Sequence, residues 1–277
     1  MPVRPADHGI VSASGAGGFD MEGGARSSAG GYNYQTYTAT GTVTVIGEGV
    51  VDLILVGGGG GRDQSYLGLW GEQWQGGGGG GGVIYATGVT VTASTPTVTI
   101  GAGSLTDTLG GNSSILFAGW NLFTGGGGDG GMGYTNCQPG ASGATSTPSS
   151  PYVTVGGAGG GGGEQPGLCG GWFGSGSATS TSGTGSGGGT WSTLTSGNGT
   201  NVSGYTGYGG GGGGATANAT SGNGGAGHTW VDGVVYSQGG NDGGNSTAPQ
   251  GGYGSGAGSD NASQKGGNGV FIVRWPA

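Results

Sequence analysis

The chain has 277 residues, of which 84 are Gly, and its 5 basic and 13 acidic residues leave a net charge of −8. A helical bundle is excluded, because each interior Gly costs a helix about 1 kcal/mol relative to Ala. Collagen is excluded because Gly does not recur at every third position, and a basic nucleic-acid-binding surface is incompatible with the charge.

Pro and Gly together suit a low-complexity chain, but 7 Trp, 11 Tyr and 5 Phe are too many for a solvating linker. The opening MPVRPADHGIVSASGAGGFD has no apolar stretch behind a basic start, so no signal peptide is expected. No apolar run approaches 18 residues, so no membrane insertion is expected. Residues 1–35 read as an irregular arm. At Tyr37 the pattern changes, and Tyr37–Val45 alternates with β-branched residues as a strand does. Val50–Val56 reads as a more buried strand running into Gly57–Gly61.

A second glycine run, Gly76–Gly82, leads into a strand at Val83–Thr87. Val89–Thr92 and Thr97–Ile100 flank Pro96 and read as a strand pair. Asn112–Ala118 is a further strand ending near Trp120. Residues 125–269 are glycine clusters separated by polar segments with aromatic tips, in which only Tyr152–Val155 and Trp230–Tyr236 read as strands. The chain closes on Val270–Trp275, an almost continuous apolar strand.

These elements predict a mainly β protein with little or no α-helix. The expected fold is an antiparallel β-sandwich, strand-rich over 37–120 and 270–275, with a long Gly-rich insertion over 125–269. The organisation is an arm over 1–35 and a glycine-rich β domain over 36–277. The glycine runs are expected to pack as extended polyglycine-II-like segments, bonding sideways to one another. One copy buries little apolar surface against its ordering entropy, so a homo-oligomer is expected, a trimer ahead of other states.

The order of certain motifs carries a resemblance. A T-x-T-V segment (Thr42–Val45) precedes a strand ending V-G-G-G-G-G (Val56–Gly61). G-G-G-G-V-I-Y (Gly79–Tyr85), T-V-T-I-G-A-G (Thr97–Gly103), G-N-S-S (Gly111–Ser114) and G-N-G-V-F-I-V-R-W (Gly267–Trp275) follow. This series resembles a family of glycine-rich domains of bacteriophage virion proteins, tail fibres and appendages among them, and of some bacterial surface proteins. In composition the chain is also similar to phage tail-tip adhesins built on packed polyglycine helices. The resemblance implies a virion structural protein, assembled in the host cytoplasm without a signal peptide. Its arm would join other virion proteins, and its exposed part would meet a host-surface glycan or protein. A capsid decoration or head-fibre protein without a receptor role is the alternative; a bacterial surface or matrix protein is the remoter one.

Candidate chemistry is sparse. G-x-G-x-x-G matches arise by chance at this glycine content, and Lys265, the only lysine, lacks the neighbours of a P-loop. His8 and His228 make no metal site alone, and Asp129, Asp232 and Asp242 lack calcium-loop spacing. No metal, cofactor or enzymatic activity is expected. Cys137 and Cys169 read as free thiols, with a disulfide left open. The better lead is aromatic: Tyr66, Trp70 and Trp74 in 62–75, Trp172, Phe173 and Trp191 in 164–208, and Tyr205 and Tyr208 close to or at its end. Such side chains offer large contact area with few rotatable bonds, which suits surface recognition. In a chain so poor in Leu and Ile, most of these side chains are expected to fill gaps between glycine helices or a subunit interface.

Overall fold

The computed structural model describes residues 18–61, 77–105, 108–128, 153–155, 214, 224–240, 252–258 and 265–277. None of these residues is helical. The strands are β1 (Asp20–Glu22), β2 (Ala25–Ala29), β3 (Tyr32–Tyr37), β4 (Gly41–Thr42), β5 (Thr44–Val56), β6 (Val83–Ser94) and β7 (Thr97–Thr99). They continue with β8 (Ser113–Phe117), β9 (Trp120–Thr124), β10 (Val153–Val155), β11 (His228–Thr229), β12 (Val235–Tyr236) and β13 (Val270–Pro276).

The main sheet runs β10-β6-β5-β13-β3-β2, with β1 added alongside the start of β5. A second antiparallel sheet, β4-β7-β8-β9, packs on one face of it. The period-2 geometry of a strand divides the apolar run of β5 between two cores. Leu53 and Leu55 join Phe271, Val273, Val98, Ile115 and Phe117 in the sandwich core. Ile54 and Val56 point the other way, with Val83, Val270 and Ile272, under Trp230 and Tyr236 of the β11–β12 hairpin. Burial on both faces is why β5 and β13 read as continuous apolar runs.

β13 lies directly beside β5, Val270 opposite Val56 and Arg274 opposite Asp52, although the two are far apart in the chain. The Arg274 guanidinium donates to Asp52 Oδ2 at 2.9 Å, and its carbon lies 4.2 Å from the centre of the Tyr32 ring. The other Asp52 oxygen accepts the Gly88 N–H at 2.9 Å. Gly88, at φ +68°, sits where the β5–β6 register slips between Val51 and Leu53. It is a bulge of the kind that needs a left-handed residue.

Several sequence expectations are corrected. Residues 18–35 are not an irregular arm: β1 and β2 lie there, with most of β3, and Met21 is fully buried. Short polar strands with small residues carry a weak alternation signal, and the Gly30–Gly31 turn (φ +60° and +79°) that joins β2 to β3 is the stronger clue. The single strand expected over 37–45 is broken by a bend at 38–40, where the chain passes from β3 to β4 in the second sheet before returning as β5. The strands beside Pro96 do not pair. β6 is continuous from 83 to 94, and the chain crosses at Pro96 so that β7 pairs with β4 and β8. β9 was not expected; an Ala118–Gly119 turn with both φ positive joins it to β8. Trp230–Tyr236 is not one strand but the turn of a hairpin, closed by Gly233 at φ +78° and by Asp232 Oδ1 accepting the Val234 N–H at 2.9 Å.

All the described glycine runs that adjoin the two sheets leave them at one end. β5 runs out into 57–61, β6 is preceded by 77–82, β8 by 110–112 and β13 by 266–269, and β9 runs out into 125–128. Successive N–H groups of 57–61 turn through three directions. Gly57 and Gly60 donate to Gly82 and Gly79, Gly58 and Gly61 to Gly111 and Thr108, and Gly59 to Gly267, at 2.9–3.1 Å. The run 78–82 repeats the pattern: Gly78 and Gly81 donate to Ala257 and Gly254, Gly79 and Gly82 to Gly128 and Gly125. A return every third residue is the signature of a threefold extended helix, and each run is thus bonded to several neighbours rather than two.

The packing leaves no room for side chains. A Cβ on Gly59 would overlap the Ser255 carbonyl, and one on Gly60 would overlap the Gly128 carbonyl, both backbone and unable to swing aside. At Gly41, by contrast, the nearest atom to such a Cβ is 3.9 Å away. Gly59→Ala is therefore expected to destabilise the protein by at least about 3 kcal/mol, lowering Tm by about 5 °C or more. Gly41→Ala should stay within about 1 kcal/mol of the parent. Equal melting temperatures for the two variants would show that the bundle is not close-packed.

Candidate functional site

The polyglycine bundle has a base on the sandwich and a far end. At the base, side chains satisfy the backbone where the lattice begins. Ser113 Oγ donates to the Val56 carbonyl at 2.7 Å and accepts the Gly101 N–H at 2.9 Å. Asn112 Oδ1 accepts the Gly126 N–H, and Asn268 Oδ1 the Gly103 N–H, each at 3.0 Å. The polar residues of the G-N-S-S and G-N-G motifs thus complete the backbone network. Ser237 Oγ does the same for the Gly81 carbonyl.

At the far end, Gly60, Gly78, Gly79, Gly128, Gly240 and Ala257 are tied at one level. Gly60 donates to Gly79, Gly79 to Gly128, Gly78 to Ala257 and Gly240 to Gly78, all at 2.8–2.9 Å. Segment 62–76 begins and ends there, between Gly61 and Gly77, and 129–152 and 241–251 start from Gly128 and Gly240. Segment 259–264 leaves just after Ala257 and Gly258 and returns at Lys265. The lattice itself offers only backbone, so any recognition chemistry at this end must come from the segments it spaces.

The strand β10 pairs Val155 with Val83, the residue at which β6 emerges from its glycine run. The chain therefore departs toward 164–208 from the junction of sheet and bundle. It is next described at Gly214, which packs against the carbonyls of Gly225 and Ala226. The residues singled out for surface recognition, Tyr66, Trp70, Trp74, Trp172, Phe173, Trp191, Tyr205 and Tyr208, all lie outside the described residues, as do His8, Asp129, Asp242, Cys137 and Cys169. Asp232, weighed as a calcium ligand, is engaged in the hairpin: Tyr236 donates its O–H to Asp232 Oδ2 at 2.6 Å. Among the described residues no three His, Cys, Asp or Glu side chains cluster as a metal site would require.

A second concentration of aromatic groups, not foreseen from the sequence, covers the outer face of the main sheet. Tyr34, Tyr85 and Tyr253 surround Trp230 and Tyr236, and the His228 ring stacks on Tyr85 with centroids 4.5 Å apart. The Tyr236 phenol is pushed far up by burial and then by the Asp232 carboxylate that accepts its proton. Burial likewise raises Tyr37, whose O–H donates to the Glu22 carbonyl at 2.7 Å. The Trp230 indole N–H is buried and lacks a hydrogen-bond partner among the described residues. No pattern in a single sequence announces this cluster, because its members come from β3, β6, the hairpin and the 252–258 run.

Burial lowers the pKa of His228 below its ordinary 6.5. The unfolded chain therefore takes up this proton more readily than the folded one. The contribution of a neutral His228 is fully present above pH 6.5 and is lost as the pH falls through the folded pKa. His228→Phe retains a ring against Tyr85 and removes the titration. The fall in Tm between pH 7.5 and pH 5.5 should be smaller in this variant than in the parent. An equal or larger fall would remove His228 from the acid sensitivity.

No family model matches the chain, and no curated protein is detectably similar to it in sequence.

Proposed function

We propose that the protein is a bacteriophage virion structural protein of the tail-fibre or appendage type, a non-enzymatic adhesin that presents loops to the host surface. The observation that carries this reading is the shared far end of the polyglycine bundle, from which 62–76, 129–152, 241–251 and 259–264 depart together. A scaffold from one end of which start 62–76, with Tyr66, Trp70 and Trp74, and 129–152, with Tyr134 and Tyr152, suits recognition, since connecting segments vary while the scaffold holds them.

The other end of the molecule supports the same reading. β1 pairs with Thr44–Ile46, the start of β5, whereas the bundle begins after Val56. Thirteen strand residues separate the two ends of β5, a span of roughly 40 Å. Attachment to other virion proteins is assigned to the chain before Gly18, because 18–35 belongs to the folded sheet. Attachment and presentation then occupy opposite ends of the long strand, as an appendage requires. The motif series quoted above supports a particle built in the host cytoplasm, and a net charge of −8 does not favour nucleic acid as a partner.

The homo-oligomer belongs to this proposal too, although its first motive is weaker. The glycine runs bond to one another within a single chain, so a second copy is not needed to satisfy them. The decoration reading has one specific observation in its favour. The outer face of the second sheet exposes Leu116 (63%) and Phe123 (36%), which suits packing against a neighbouring particle protein.

Replacing Trp70 and Trp74 with Ala, and separately Trp172 and Phe173, tests the adhesin. Particles carrying either pair should assemble normally yet adsorb to host cells about thirtyfold less well, the loss typical of an anchor worth ~2 kcal/mol. Assembled particles of both variants that adsorb as the parent does would overturn the receptor role and favour decoration.

A further inference from the structure

Residues 266–276 form one segment that reaches both sheets, both apolar cores and the glycine lattice. Within it, Phe271–Pro276 lie opposite Tyr32–Tyr37 of β3, and Val270–Arg274 lie opposite Asp52–Val56 of β5. Among the described strands, no other joins the β3–β2 pair to the rest of the main sheet by a ladder. Phe271, Val273 and Trp275 enter the sandwich core, where the Phe271 ring centre lies 5.7 Å from that of Tyr37 and 5.6 Å from that of Phe117 in the second sheet. Val270 and Ile272 enter the outer core. The glycine run ahead of the strand is equally central. Through backbone groups Gly266 donates to Ser104, Gly267 to Ser255 and Gly269 to Gly101, while Gly267 accepts from Gly59 and Asn268 from Gly254, at 2.6–2.9 Å.

This segment follows every other described element in the chain. Before it is in place, β3 and the Asp52–Val56 part of β5 are edges with unpaired N–H and C=O groups. The runs at 57–59, 101–104 and 252–255 then lack their common partner. The other ladders are formed without it: β5 with β6 from Val45 to Val56, β2 with β3, and β8 with β7 and β9. Two edges facing one gap make a slot one strand wide. Its two faces are apolar, and Asp52 on its β5 side meets Arg274 at 2.9 Å.

We propose that residues 266–276 are a closing segment, a conformational switch built into the fold. The remainder of the chain forms a strand acceptor, and docking of this segment converts it from an open form to the closed form in which sandwich and polyglycine bundle are both complete. A strand added to a sheet edge is held by main-chain bonds and selected by its alternate side chains. Here the selection is two-sided, Phe271, Val273 and Trp275 for one face and Val270 and Ile272 for the other. The pairing is between positions far apart in the chain, so its closure entropy is met only when this segment arrives. A copy made only as far as residue 265 stays open, and the far end of the bundle is built only by copies that carry the segment. This inference does not depend on the host-attachment reading.

The test supplies the segment in trans. In the full chain, Phe271→Asp together with Val273→Asp directs two carboxylates into the sandwich core, so the chain's own segment cannot dock. The near-UV circular dichroism of the buried aromatic rings should be lost in this variant. Titration with a synthetic peptide of the parent residues 265–277 should recover it, saturating at one peptide per chain, and the amides of Gly57–Gly60 should regain protection from hydrogen exchange in step. The same peptide carrying both substitutions should recover neither. A variant that keeps the parent's signal or the glycine protection without peptide overturns the proposal, because closure then does not need the segment. A variant that the parent peptide does not restore overturns it too, because no acceptor then waits for the strand.

Discussion

The structure depends on hydrogen bonds between backbones that carry no side chains. In a β-sheet each strand has two bonded neighbours, because side chains occupy the other two directions. Removing Cβ frees those directions, and the runs 57–61 and 78–82 use them, bonding to different partners at successive residues. A side chain at Gly57, Gly58, Gly59, Gly60, Gly78, Gly80 or Gly81 would place a carbon where a neighbouring carbonyl already lies. Glycine abundance is thus a packing requirement, and it accounts for how a chain with so few large apolar residues forms an ordered body.

The lattice cannot set its own origin. Polyglycine has no registering side chains, and one run could slide past another at little cost. Registration comes from the sandwich. β5, β6 and β13 are fixed side by side through Val56, Val83 and Val270, and their runs inherit that alignment. Asn112, Ser113 and Asn268 then lock the first layer by bonding to specific N–H and C=O groups. On the opposite side of the sheet, the Trp230–Tyr236 hairpin covers the residues that the sandwich leaves bare. The outer apolar core and the backbone lattice therefore meet along the line Val83, Val56 and Val270.

Much of this was legible in the sequence, and the limits have physical causes. The buried strands at 51–56 and 270–275 were evident because burial on both faces leaves an uninterrupted apolar run. The polyglycine packing was expected from the runs themselves, but its partners were not, since a run of identical residues carries no information on register. β2 and β9 were missed because their turns, Gly-Gly and Ala-Gly, stand among so many glycines that turn signals lose contrast. The passage of the chain between sheets at 38–40 and at Pro96 was missed because a crossover and a hairpin have the same local composition. The hairpin over the outer face was read as a strand because Val231, Val234 and Val235 are apolar yet exposed. The recognition aromatics were chosen from segments that lie outside the described residues, so the described fold neither requires nor forbids their role.

The chemistry of what is buried also gives the two parts of the molecule different thermal characters. Apolar surface raises the heat capacity on exposure and peptide surface lowers it. The sandwich, with Leu53, Leu55, Phe117 and Phe271 in its core, follows the ordinary curve and loses driving force on cooling. The bundle hides mainly peptide groups, so its contribution has the opposite curvature. The segments at its far end are consequently held by the part of the structure whose cohesion is least weakened in the cold.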